Sequence, residues 1–199
     1  MAQQEKNRKV RAVLAGGLVL GVGVAVTLAA WNDSEFAEGV FGTGHFNMQG
    51  SVDGINFTDH ASGAAASLSF AVEPGSMSPE DTVAAPFVLH LDEETTNNAK
   101  VNVASALGSG TAVDQLSYAI VQVPSLTDCK PEATGTVIVP PGTAFGAATG
   151  VATFDLTKSD VSGEPGADAF LCVQVTAAED LIQDTSATAT WEFVGQSVS

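Results

Sequence analysis

The feature that most constrains this chain is a period of two. HFNMQGS sets Phe46 and Met48 on one face and His45, Asn47 and Gln49 on the other. SLSFAVE repeats the pattern through Leu68, Phe70 and Val72, and APFVLHLDE through Phe87, Leu89 and Leu91, with His90 facing the opposite way. KVNVA pairs Val101 with Val103, QLSYAIVQV aligns Leu116, Tyr118 and Ile120, and TVIVP, VATFDL, AFLCVQV and ATWEFV complete the set. Such alternation sends side chains by turns into a core and into water, as a half-buried strand does. EPGSMSPED, LDEETTNNAK, TDCKPEATG, VPPGTAFG and SGEPGAD separate the runs with turn chemistry. Only AAEDLIQD, residues 177–184, reads as helix, for about two turns. About nine strands with almost no helix predict an all-β, antiparallel β-sandwich. No internal repeat marks a solenoid or propeller.

The chain begins differently. Lys6, Arg8, Lys9 and Arg11 precede AVLAGGLVLGVGVAVTLAA, nineteen residues without a charge. A basic start and an apolar run of this length predict an N-terminal signal helix, with Gly16, Gly17, Gly21 and Gly23 weakening it as a permanent span. The expected cut lies between Ala30 and Trp31, which leaves Leu28 at −3; a cut after Ala29 puts Thr27 there. The alternative is an uncleaved anchor with its basic end inside, the only membrane contact expected. Residues 1–30 are thus read as signal peptide, 31–50 as an N-terminal segment and 51–199 as the sandwich. Beyond residue 30 the chain keeps three basic residues, Lys100, Lys130 and Lys158, against all but one of its 23 acids. That balance excludes nucleic acid, whose phosphates need clustered Lys and Arg.

Two cysteines, Cys129 and Cys172, fall in the expected exported part, where an even count favours a disulfide. Closing a loop of roughly 44 residues contributes about 3–4 kcal/mol by the chain-entropy model. The alternative is two buried thiols. Cys172 faces away from Leu171, Val173 and Val175, so a bridge ties the 124–135 connection onto an outer or edge face of that strand. Neither cysteine forms a CxxC pair, which argues against redox or zinc roles.

The passage AAWNDSEFAEGVFGTGHFNMQGS, after a basic start and a Gly-rich apolar run, resembles the exported proteins of the TasA/camelysin family. Ala30, Trp31, Asn32 and Asp33 match that family's cleavage region, processed by an endoplasmic-reticulum-type signal peptidase of the SipW kind. Phe41, Gly44, Phe46 and Met48 match its F-x-x-G-x-[FL]-x-[LM] strand. Glu73-Pro74-Gly75 ahead of Phe87, Leu89 and Leu91, and the terminal ATWEFVGQS, follow in the family's order. The resemblance implies a jelly-roll-like domain that is secreted to the cell surface or extracellular space, with a SipW-type peptidase as export partner. In some members such domains assemble into fibres of a biofilm matrix.

Camelysins have been described as metallopeptidases, but His45, His60 and His90 lack the i, i+4 spacing of a zinc helix. No nucleophile elbow or phosphate loop is present either. No catalytic site, cofactor or metal is therefore expected. Asp33, Asp53, Asp59, Asp92, Glu93 and Glu94 read as a solvated acidic surface, with surface calcium as the alternative. Such charge keeps monomers apart at low ionic strength. Trp31, Phe36, Phe41, Phe46 and Met48 (with Val40) make the segment after the cut sticky enough to be laid along a neighbour's sheet edge. The alternative is that it forms the first strand of its own sheet. The expected function is a secreted structural protein of the cell surface or matrix, self-associating by strand donation. The other readings are a monomeric module binding a surface polymer and a camelysin-type metallopeptidase.

Overall fold

The computed structural model describes residues 42–70, 76–146 and 152–198, together with Asn7, Lys9 and Glu38. The leader apart from Asn7 and Lys9, the Ala30–Trp31 bond, and Trp31, Phe36 and Phe41 of the expected assembly segment lie outside the described residues. Contacts divide the chain into Met1–Gly42 and Thr43–Ser199, and the second unit is all-β. Its strands are β1 (Met48–Ser51), β2 (Thr82–Leu91), β3 (Asn98–Gly110), β4 (Leu116–Val123), β5 (Thr136–Ala144), β6 (Phe154–Leu156), β7 (Ala169–Ala177) and β8 (Ala187–Val198). Five form a sheet in the order β1-β2-β7-β4-β5, and three form a second in the order β6-β3-β8. Every strand pairing is antiparallel. The pairs β2–β7, β3–β6 and β4–β5 nest inside one another, as in a long hairpin rolled into two layers: the jelly-roll plan.

The alternation read in the sequence builds the core. Val83, Phe87, Leu89 and Leu91 of β2 join Tyr118 and Ile120 of β4 and Leu171, Val173 and Val175 of β7. Val101 and Val103 of β3, with Phe154 and Leu156 of β6, complete the same cluster from the other sheet. Complete burial of a side chain such as Leu91, Ile120 or Leu171 stabilises by about 1.5–3 kcal/mol each. Pro86 sits inside β2 without breaking the sheet. β1 pairs only with Val88–Leu91, so at Pro86 the strand has a neighbour on the β7 side alone, the setting in which a missing N–H is tolerated.

The opposite face of the five-stranded sheet carries a second, smaller cluster of Ala84, Val121, Val123 and Cys172, packed against Cys129, Ala133 and Phe170. Cys129 and Cys172 are joined by a disulfide. The bridge pins the β4–β5 connection to this outer face, on the side of β7 that Cys172 was expected to occupy. Gln174, two residues on and on the same face, is 7 % exposed and its Nε2 donates to the carbonyls of Lys130, Pro131 and Ala133 at 3.1, 2.8 and 3.1 Å.

Three expectations fail. VPPGTAFG is not only a turn: β5 runs on through Pro140 and Pro141 to Ala144, which pairs with Ser117 of β4. SLSFAVE is not a strand over its described part: Leu68 and Phe70 pack against the core, but no ladder forms there. Alternation reported side-chain burial, not a backbone partner. AAEDLIQD is not helical; Ala177 ends β7 and the rest is turns, with Asp184 at φ 57 in the left-handed region.

Candidate functional site

A two-sheet sandwich has four edges, and three are protected here. β1 is four residues long, and Gly50 exchanges backbone hydrogen bonds of 3.0 Å with Thr58 along its outer side. β5 carries Pro140 and Pro141, and β6 has three residues. Short strands, prolines and covering loops are the usual ways of blunting an edge. β8 is neither short nor interrupted by proline. It runs for twelve residues without proline, and among the described residues its ladder lies on the β3 side only. In the nested plan a strand preceding β2 would lie along its other side, but β1 pairs with β2 instead.

The inward side chains of β8 are correspondingly half-covered. Trp191 meets Tyr118 edge-on at 6.1 Å and Phe145 at 5.9 Å, and Phe193 meets Phe87 at 5.5 Å. All three ring pairs lie in the attractive range for aromatics. Trp191 Nε1 is buried with no hydrogen-bond partner among the described residues. A buried N–H in that state costs about 1–3 kcal/mol until something accepts from it.

Phe46 and Met48 of the expected assembly segment lie at the same end of β8. A Cβ on Gly195 would stand 3.3 Å from Met48 Sδ and 3.4 Å from Phe46 Cζ, so glycine lets both approach. Met48 opens β1 opposite Leu91, while Phe46 remains 37 % exposed. The chain just before is tied to the turn after β2: Thr96 N donates to His45 O at 3.0 Å, and Asn47 N to Thr95 Oγ1 at 2.9 Å. Gly44 belongs to this contact, since a Cβ there would lie 2.3 Å from Thr96 Oγ1. The end of the segment is therefore fixed within its own sandwich.

The three histidines serve separate places. His45 Nε2 lies 3.1 Å from Asp92 Oδ2, and His60 lies 3.2 Å from Thr58 Oγ1 with its ring edge-on to Phe87. His90 faces away from the main core as expected, yet it is not a surface residue. It is 6 % exposed, stacked on Phe57 and paired with Asp168. The covering loop 52–60 accounts for the difference, and the sequence carried no signal of its path. Among the described residues no three His, Cys, Asp or Glu side chains gather as a metal-ligand set.

Two carboxylates are perturbed, Asp53 by its own turn and Asp92 by its turn together with the chain at His45–Asn47. Asp53 accepts from Asn56 N, from the Asn56 side chain, from Ile55 N and from Ser51 Oγ, which together hold it far below the usual carboxylate range. For Asp92 burial pushes upward, but hydrogen bonds from Thr95, His45 and Asn47 and the charge of His45 prevail and lower it. No protein-family model and no curated protein matches this chain.

Proposed function

We propose that the chain is an exported structural subunit of the cell surface or extracellular matrix, which assembles when β8 accepts a strand from the N-terminal segment of another copy. The observation that carries this reading is the β8 edge. It is long, free of proline, backed by half-covered aromatics, and among the described residues paired on the β3 side only. The segment directly upstream of the sandwich, Trp31 to Phe41, supplies apolar side chains for such a strand. Strand addition satisfies backbone groups along the whole edge and fills side-chain pockets at alternate positions. A donor that comes from the next copy makes a head-to-tail contact that does not close, and so builds a filament.

Export is supported by the disulfide, which belongs with an oxidising compartment, and by the basic-then-apolar start of the chain. Among the described residues no helix is long and apolar enough to cross a membrane. The test is the assembly state of protein beginning at Trp31. Sedimenting oligomers that disappear when residues 31–40 are deleted support strand donation. Monomers at every concentration and salt level would overturn it.

A further inference from the structure

We infer that a cavity on the outer face of the five-stranded sheet binds a primary ammonium group carried on a short apolar stem. The cavity is an open groove of about 390 Å³, with the exposed Ile55, Glu93, Pro165 and Asp168 on its rim. It uses no part of β8, so it stands whether or not the chain assembles.

His90 is the anchor of this wall. Its Nδ1 lies 3.1 Å from Asp168 Oδ1, and Phe57 stacks on its ring at 3.7 Å between centroids and 13° between planes. A carboxylate facing Nδ1 favours the tautomer with the hydrogen on Nδ1, and in that tautomer Nε2 is an acceptor. Nε2 has no hydrogen-bond partner among the described residues, although the side chain is more than nine-tenths buried and lines the cavity. Gln49, directly across from His90 in the β1–β2 register, lines it as well, and Glu93 and Asp168 add carboxylate oxygens. Apart from the Gln49 amide N–H, these polar groups offer only acceptors, which selects a ligand rich in donors.

Charge decides which donor. A neutral hydroxyl ligand would take Glu93 and Asp168 partly out of water with no opposite charge to offset the loss. An ammonium brings three N–H donors and a positive charge, and its hydrogen bonds to carboxylates are the strong kind. Ile55, Phe57 and Pro165 supply apolar walls for the stem. The net charge of −16 draws cations toward the surface from a distance. A lysine side chain has both parts of this chemistry, and an amino sugar only the ammonium.

The test is an NMR titration of the full chain that follows the His90 ring. The amine probes are 1,5-diaminopentane, an N-acetylated lysine amide and glucosamine; the neutral controls are 1,5-pentanediol and N-acetylglucosamine. Saturable shifts are expected from amines at about millimolar Kd and none from the neutral pair. The lysine and glucosamine arms then tell which source fits better. Glu93→Gln, at an exposed position, and Asp168→Asn, which keeps an acceptor for Nδ1, should each weaken amine binding about tenfold. Glu132→Gln, outside the cavity, should leave it unchanged. Equal binding by the neutral controls, non-saturating shifts from every amine, or unchanged affinity in Glu93→Gln would each overturn the inference.

Discussion

Gln174 holds more of the outer face together than its polarity suggests. One amide nitrogen serves the carbonyls of Lys130, Pro131 and Ala133, and so closes the loop that the disulfide tethers through Cys129. Truncation to Gln174→Ala leaves those carbonyls without their donor, at a cost of about 1–3 kcal/mol. For a chain this size that corresponds to a fall in Tm of about 2–4 °C per kcal/mol. Gln174→Glu should be worse at neutral pH, because a carboxylate cannot donate to any of the three; calorimetry at pH 7 and pH 4 separates the two variants, with partial recovery of the Glu form in acid. Asp92 sets a second expectation. Its folded pKa lies below its unfolded one, so its contribution to stability is present above about pH 4 and is lost as pH falls through the lowered folded value. Tm should therefore hold from neutrality to about pH 5 and decline below about pH 4, with a shallower decline in Asp92→Asn. An unchanged acid limb in that variant would remove Asp92 from the explanation.

At the scale of elements, the disulfide and β8 carry the expectations. Reduction, or the double substitution Cys129→Ala with Cys172→Ala, should lower stability by about 3–4 kcal/mol through the reopened 43-residue separation, read as a drop in the denaturant midpoint. A smaller loss would mean that Gln174 already closes the loop unaided. Much of this layer was legible in residues. Leu89 and Leu91 against His90, and Leu171 and Val173 against Cys172, announced both the core face and the face the bridge would take. Leu68 and Phe70 show the limit: an apolar alternation can be met by packing alone, without a ladder. AAEDLIQD shows another, since eight residues with helical composition gain too little from one or two turns to outweigh a tight return into β8. The candidate sites were less legible. Trp191 and Phe193 read only as inward positions of a last strand, and nothing in the sequence distinguished that strand as an edge. The His90–Asp168 pair joins residues 78 apart and depends on a loop whose path no local pattern encodes.

For the whole molecule, the imbalance of charge and the open edge act against each other. Acidic surfaces repel between copies, with a range of about 10 Å at 0.1 M salt and about 30 Å at 0.01 M. Strand pairing acts only on contact. Assembly should thus be suppressed at low ionic strength and recover as salt is raised, measured by light scattering at fixed protein concentration. Salt-independent scattering would mean that charge does not limit association. The most direct test is hydrogen exchange along β8 in protein beginning at Trp31, measured together with its sedimentation across a concentration series. The expected result is slow exchange on the outer side of Ala187–Val198 that appears in step with oligomers and is lost when residues 31–40 are removed. Protection of β8 in a persistent monomer, or fast exchange there in assembled material, would contradict strand donation between copies.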